Sequence, residues 1–238
     1  MKTKSILLLT VLFFALLGCH HGGKSVPEDK PIECSVNPDE VFGTHYGPQD
    51  FQIHNILDPF STEWGIYITW LPMLPEGTVS QDGKDVIVSD TVLFAPFVDS
   101  LTRKLGESAS NYTFSWLPLE DYETPLYRFM AVNNEPLIDG TSVVESSAVI
   151  SSYTQEPVLN FVFGMTPNGG NSPQNDTTAK RWYLITNENV GRNIAITLGH
   201  RVLSAPMVMC AIEGGKCSVT GLTEEEACAT AAILSGKE

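Results

Sequence analysis

The residues of this chain best suited to chemistry are its five cysteines, Cys19, Cys34, Cys210, Cys217 and Cys228. Cys19 closes an apolar amino-terminal run and is treated with it below. The other four form an even set, which in an oxidising compartment reads as disulfides, and four cysteines allow three pairings. The stretch MVMCAIEGGKCSVTG (207–221) predicts a hairpin turning at Glu213-Gly214-Gly215. Pairing Ile212 with Gly215 sets Cys210 opposite Cys217 and Val208 opposite Val219, which keeps the apolar side chains on one face. That register favours a Cys210–Cys217 disulfide and leaves Cys34 with Cys228 by elimination. No C-x-x-C pair exists, so zinc-ribbon and thioredoxin chemistry lacks its ligands. His20-His21 has no further ligand at metal-site spacing, and His45, His54 and His200 are isolated. Glu120, Asp121 and Glu123 read as a solvated loop with no apolar pocket to raise a carboxyl pKa. Ser172 precedes Pro173 and fits a helix cap better than a nucleophile. H-E-x-x-H, G-x-S-x-G, P-loop and EF-hand patterns are all missing from the sequence. The expectation is a protein with no catalytic set, no metal site and no cofactor.

Composition narrows the partners. Lys and Arg number 14 against 28 Asp and Glu, a formal charge of −14. Such a balance disfavours nucleic acid, which is bound through phosphate neutralisation, and disfavours electrostatic adhesion to anionic lipid. With 42% hydrophobic residues over 238 positions, the chain has the composition of a globular protein of one large domain or two small ones.

Residues 1–18, MKTKSILLLTVLFFALLG, carry Lys2 and Lys4 and then an apolar run from Ile6 to Leu17 broken at Thr10. This has the order of a signal peptide and falls short of the ~20 residues of a membrane-spanning helix. Its end, Leu16-Leu17-Gly18-Cys19, resembles the lipobox of bacterial lipoproteins. The resemblance implies that Cys19 is lipidated and becomes the first residue of the mature protein, anchored to a membrane by acyl chains and facing the periplasm or the cell exterior. An ordinary secretory signal with a chance cysteine is the alternative. Residues 19–40 are polar and rich in Gly and Pro, and read as a flexible tether.

Positioning elements follow from periodicity. Over 41–125 the expected order is strand, strand, helix, strand. Trp64–Trp70 alternates as a strand, 72–85 reads as a loop, and Val86–Val88 as a short strand. Phe94, Phe97, Val98, Leu101 and Leu105 recur at helical spacing, with Pro96 in the first turn and Gly106 as the stop. Tyr112–Trp116 is a further strand. Over 126–238 strands are expected at 126–132, 143–153, 158–165, 192–198 and 201–203, the last two joined by a tight turn at Gly199-His200. A helix over 174–190 turns Trp182, Ile185 and Val190 to the core. A helix over 223–235 opens with a capping box, Thr223 and Glu226, and buries Ala227, Ala231 and Leu234. Trp116, Tyr122 and Tyr127 read as core packing, with a binding groove as the alternative.

One stretch is specific. Thr186, Asn189-Val190-Gly191-Arg192, Ala195-Ile196, Val202, Ser204-Ala205-Pro206, Ile212, Gly214-Gly215, Thr220-Gly221 and Glu225-Glu226-Ala227, with Leu126-Tyr127 and Pro136–Gly140 upstream, resemble the first periplasmic domain of SecD, in particular its head subdomain. The resemblance covers about 125–236. Each of Gly191, Arg192, Ser204, Ala205, Pro206, Gly214, Gly215 and Gly221 has a scaffold reading: helix stop, interrupted strand pairing, or positive φ in a turn. The family domain is not an enzyme. SecD itself carries several membrane spans, and no segment after residue 18 is long and apolar enough to be one. Gly199-His200 replaces the usual acidic residue after the Ala-Ile strand, and 41–125 does not align.

The expected fold is α+β: mostly antiparallel sheet with helices on one side, in two subdomains meeting near residue 125. The expected function is a non-catalytic envelope lipoprotein that binds polypeptide or an envelope protein partner. A structural or assembly lipoprotein of a larger envelope complex, and a hydrolase with an unrecognised nucleophile, are the competing readings.

Overall fold

A computed structural model describes residues 28–58, 61–68, 86–119, 125–164 and 177–236. In chain order the elements are β1 (Lys30–Pro31), α1 (Pro38–Phe42), β2 (Phe51–Ile56), α2 (Thr62–Ile68), β3 (Val86–Val88), α3 (Thr91–Leu105), β4 (Tyr112–Leu119), β5 (Leu126–Asp139), β6 (Val143–Ile150), β7 (Pro157–Phe163), α4 (Thr177–Glu188), β8 (Ile194–Leu198), β9 (Arg201–Ser204), β10 (Lys216–Val219) and α5 (Glu224–Ser235). A four-stranded antiparallel sheet runs β1-β6-β7-β10. A six-stranded antiparallel sheet runs β3-β5-β2-β8-β9, with β4 also paired to β5.

β5 is the longest strand, and it joins the two halves of the sequence. Along its length it pairs with β4 over Leu126–Asn133, with β3 at Tyr127–Phe129, and with β2 from Val132 to Asp139. Strand alternation sends Phe129 and Ala131 to one face and Met130 and Val132 to the other. Phe129 and Ala131 pack with Leu57, Trp64, Val86, Val88, Phe94, Leu105 and Ala109 in a core under α2 and α3. On the same side, Phe51 and Ile53 of β2 and Ile194, Ile196 and Leu198 of β8 meet the inner face of the four-stranded sheet, α4 and α5 in the main core. Met130 and Val132 join Ala195, Val202 and Ala205 in a small cluster on the opposite face. The architecture is therefore α+β, with the helices gathered on one side of the six-stranded sheet.

The expected subdomain boundary near 125 does not divide the sheets. β2, from the first half, lies between β5 and β8, and its Phe51 and Ile53 are fully buried in the main core. Local periodicity gives no hint of this, because the pairing partners lie far away in sequence, the nearest pair being Ile56 with Val132. Part of the stretch expected as a tether, 19–40, is instead structured. Residues 1–27, with Cys19, lie outside the described residues. Residues 30–40 are held on the body: β1 extends the sheet at β6, Cys34 is bonded to Cys228, and α1 packs against α5.

The Cys34–Cys228 pairing expected by elimination is present, and the Cys210–Cys217 pairing is a correction. Cys34 and Cys228 form the disulfide, whereas Cys210 is exposed and Cys217 buried, both as free thiols. The hairpin behind the Cys210–Cys217 expectation does not form. β10 pairs instead with β7, Cys217 opposite Phe161, and Val208 pairs with Val190. Gly214 and Gly215 do take positive φ, 74° and 73°, but within a 3-10 turn that leads into β10.

Three helices differ from expectation. Residues 62–68 are helical, not extended, because Ser61 caps the turn: its Oγ accepts from Trp64 N at 3.1 Å and its carbonyl from Gly65 N at 3.0 Å. Residues 69 and 70 lie outside the described residues. α3 begins at Thr91, three residues before Phe94, because the Asp90 carboxylate accepts from Val92 N at 2.9 Å. Pro96 therefore falls inside the helix, with its ring exposed. In α4, Trp182 and Ile185 are buried as expected, but the helix stops at Glu188 and Val190, in the turn beyond, is 49% exposed. The Ser172-Pro173 cap lies outside the described residues. α5 matches its expectation, Thr223 and Glu226 forming both halves of the capping box.

Candidate functional site: a polar cleft between the two helical cores

Where β2 ends, the chain turns away from the sheet. Leu57 N donates to Ala131 O at 2.8 Å, and Ser61 N to Asp58 O at 2.9 Å. This turn fixes Asn55, Asp58 and Ser61 beside Asn133 of β5 and Tyr112 of β4. The opposite wall comes from the turn after α4. Asn189 Nδ2 donates to the Ile185 carbonyl at 2.9 Å, completing the helix end, and Arg192 N donates to Asn189 O at 2.9 Å. Gly191 takes φ 79° there, which favours glycine. Gly191 N donates to Val208 O and Val208 N to Arg192 O, at 2.8 and 2.9 Å, so residues 189–192 are laced to 207–208. The laced segment follows Ser204-Ala205-Pro206, where Asn193 Nδ2 donates to Ala205 O at 2.7 Å and Ile194 N to Pro206 O at 3.0 Å.

The result is a cleft of about 190 Å³ lined by Asn55, Asp58, Ser61, Tyr112, Asn133, Asn189 and Arg192. Arg192 Nη2 lies 3.3 Å from Asp58 Oδ2 across it. Asn55 Oδ1 is buried without a hydrogen-bond partner among the described residues. Tyr112 has its phenol pKa raised, first by burial and then by the nearby Glu63 charge, so the phenol is protonated at neutral pH and available as a donor. A second hollow of about 390 Å³ shares Tyr112 and Asn133 and continues over Ser110, Asn111, Asn134 and Glu135. On the other side of the 189–192 turn, Val190, Met207 and Met209 are 49%, 42% and 60% exposed.

These groups offer hydrogen bonds to a ligand. Asn55, Asn133 and Asn189 place three primary amides along one trough, with Asn133 Oδ1 already accepting from Glu135 N at 2.9 Å and Asn189 Nδ2 donating to the Ile185 carbonyl. Ser61 Oγ already accepts from Trp64 N, and the cleft lining contains no histidine or cysteine. His45 pairs with Asp39 at 3.2 Å, but on the surface, with the two side chains 75% and 49% exposed. His54 is buried and bonded to Gln52 Oε1 at 3.1 Å, and His200 is exposed in its turn. Among the described residues no group of three or more His, Cys, Asp or Glu side chains gathers to hold a metal, and no helix is long and apolar enough to cross a membrane.

Of the residues singled out in the sequence, Asn189 and Arg192 line the cleft, and Gly191 and Pro206 shape its wall. Gly214, Gly215 and Gly221 lie elsewhere, each in a turn with positive φ. Trp116 packs 5.1 Å from Phe94 and 4.9 Å from Phe129, a core contact and not a groove wall; Tyr127 is half-buried against the same core. Tyr122 and the acidic group Glu120, Asp121 and Glu123 lie outside the described residues. Sequence reading missed Asn55, Asp58, Ser61 and Asn133. One signal was available: Asn133-Asn134 interrupts an apolar strand with two poor strand formers, which marks a place where backbone or ligand needs polar company.

The profile of the family "SecDF, P1 head subdomain" matches residues 117–237. The SecDF protein translocase subunit of Thermus thermophilus is 33% identical over 100 residues, 42% of this chain and 12% of that protein. The SecD subunit of Rickettsia typhi is 31% identical over 93 residues, 39% of this chain and 16% of that protein. The chain thus spans a small fraction of the length of these relatives. Among solved structures, SecDF in a super-membrane-facing form aligns with a TM-score of 0.40 at 20% identity, covering 79% of this chain and 19% of the other. A second, a membrane component SecDF that enhances protein export, aligns with a TM-score of 0.39 at 21% identity, covering 78% and 61%.

Proposed function

The chain belongs to the SecDF P1 head subdomain family, and we propose that it is a non-catalytic envelope module that holds extended polypeptide during protein export, anchored to a membrane through lipid on Cys19. The observation that carries this reading is the placement of Asn189 and Arg192. Residues of the stretch that resembles SecD line an amide-rich cleft, and the polar trough runs on past Tyr112 and Asn133. An extended polypeptide exposes main-chain N–H and C=O groups at regular spacing, and asparagine amides satisfy both kinds. Val190, Met207 and Met209 offer an adaptable apolar surface for its side chains. Relatives described as protein translocase subunits support the same direction.

The binding test is fluorescence anisotropy of a labelled, permanently unfolded polypeptide titrated with the chain. Saturable binding, weakened several-fold by Met207→Ser together with Met209→Ser, is the expected result. Absence of binding to unfolded chains, with one stable envelope protein recovered by crosslinking in cells, would instead favour the assembly-lipoprotein reading. The anchor is tested separately by metabolic labelling with a fatty acid, where Cys19→Ser is expected to abolish incorporation.

A further inference from the structure

Residues 28–46 form a strap over the second half of the molecule, and its non-covalent hold is limited. β1 pairs with β6 only at Lys30 opposite Ile150 and Pro31 opposite Val149. Pro31 has no N–H to give to that ladder. Beyond this pairing, Ile32 N donates to Ala148 O at 3.0 Å, and the Asp29 carboxylate accepts from the main-chain N and the Oγ of Ser152 at 2.8 and 2.9 Å. Ile32, Val36, Phe42 and Tyr46 are only partly buried against the main core. The guanidinium of Arg201 sits 5.6 Å above the Phe42 ring, at the packing of α1 on α5. From Gly47 onward the chain is committed to the body, since Phe51 is fully buried. One covalent tie holds the strap between its two ends, the Cys34–Cys228 disulfide. Its two sulfurs sit in unlike places: Cys34 is on the exposed strap, and Cys228 is 2% exposed in α5.

We propose that Cys34–Cys228 is a redox latch, which a dithiol reductant opens from the Cys34 side so that residues 28–46 lift away and uncover the outer edge of β6. A thiolate of the dithiol attacks Cys34 Sγ, the Cys34–Cys228 bond breaks, and the Cys228 sulfur leaves as a thiolate and takes up a proton. The second thiol of the reductant then displaces Cys34, which also ends as a thiol, and the reductant departs as a disulfide. Two electrons pass to the protein pair. Attack from the Cys34 side follows from access, because thiol–disulfide exchange requires the attacking thiolate to reach a sulfur. Lifting follows from the limited hold: with the bond gone, two strand pairings, a few surface hydrogen bonds, the packing of α1 on α5 with Arg201 over Phe42, and partial burial remain. The uncovered edge of β6 presents the Ala148 carbonyl that Ile32 now occupies, and a free sheet edge accepts another strand. This inference does not depend on the polypeptide-binding cleft, which lies on other elements.

Hydrogen exchange of the full chain, oxidised and then reduced with a dithiol under native conditions, tests it. The amides to follow are Ile32, Val41 and Gly43 in the strap, each hydrogen-bonded in the latched state, against those of β8 in the core. Reduction is expected to speed exchange in the strap at least ten-fold more than in β8. Cys34→Ser combined with Cys228→Ala should reproduce that pattern without reductant. Two outcomes overturn the proposal: a strap that stays protected after complete reduction, or strap and β8 losing protection in equal proportion, which would make the disulfide a staple of the whole fold.

Discussion

Arg192 Nη2 lies 3.3 Å from Asp58 Oδ2, so the turn after α4 is tied to the end of β2 across the mouth of the cleft. The two residues come from opposite walls: Arg192 follows α4 of the main core, and Asp58 adjoins Leu57 of the core under α2 and α3. With side chains 57% and 33% exposed, the pair is screened by water and contributes at most about 1 kcal/mol to folding. Its consequence is geometric, because it fixes how far apart the walls stand. Arg192→Ala is therefore expected to lower the unfolding free energy by less than ~1 kcal/mol in urea titrations while weakening the binding of unfolded polypeptide several-fold. A loss of stability well above that with unchanged binding would make Arg192 a framework residue.

The corrected cysteine pairing predicts a labelling pattern. Cys210 is exposed, and Cys217 is buried with its thiol pKa pushed up to about 12 by burial, against a smaller opposing pull from the Ser218 main chain. The thiolate is the reactive form, so Cys217 is inert at neutral pH. Iodoacetamide followed by peptide mapping should modify Cys210 in the native protein and reach Cys217 only after unfolding. Recovery of a Cys210–Cys217 disulfide peptide would contradict the arrangement of β10 against β7.

Elements whose signals are local were legible in the sequence. Thr223 and Glu226 announce α5 because both halves of the capping box lie within one turn. Elements decided by distant partners were not. Trp64, Ile66 and Ile68 alternate as in a strand, yet Ser61 caps a helix there and Trp64 buries its ring in the core under α3. The 207–219 stretch satisfies a hairpin pattern on its own, but β10 finds its ladder on β7, more than 50 residues earlier in the chain. The cleft was hidden for the same reason. Asn55, Asn133 and Asn189 belong to no common motif and meet only because β2 inserts between β5 and β8. Of the cleft residues, Arg192 was singled out for a scaffold role, which its main-chain bonds support and its side chain exceeds.

Two adjacent glycines separate backbone strain from steric conflict. Gly214 and Gly215 have φ 74° and 73°, so any L side chain pays a similar conformational cost at either, about 1–2 kcal/mol. A β-carbon on Gly214 would meet nothing within 4 Å, whereas one on Gly215 would run into the Phe163 carbonyl oxygen of β7. Gly215→Ala should therefore destabilise the protein by clearly more than Gly214→Ala, on the order of 1–3 kcal/mol more, the scale of forced overpacking. Urea unfolding of the two variants side by side checks it. Equal losses would mean that the Gly215 turn does not approach β7 as described.

His54 supplies a pH dependence whose sign follows from its surroundings. The side chain is 6% exposed on β2, bonded to Gln52 Oε1. Burial pulls its pKa below the usual 6.5, against a weaker upward pull from main-chain groups of Asn133 and Glu135. Between the folded value and 6.5 the unfolded chain binds a proton that the folded chain refuses, so stability rises with pH through that window. The folded protein keeps its full stability above 6.5 and loses part of it as pH falls toward the folded value, below which the His54 contribution levels off. Unfolding free energies measured from pH 7.5 down to pH 5 should fall, and His54→Gln, which cannot take a proton and retains a hydrogen-bonding amide, should flatten that slope. The carboxylates titrate mainly below this range, so they leave the comparison intact. A slope unchanged in His54→Gln would show that the imidazole exchanges its proton freely with solvent and is not enclosed between β2 and its neighbours.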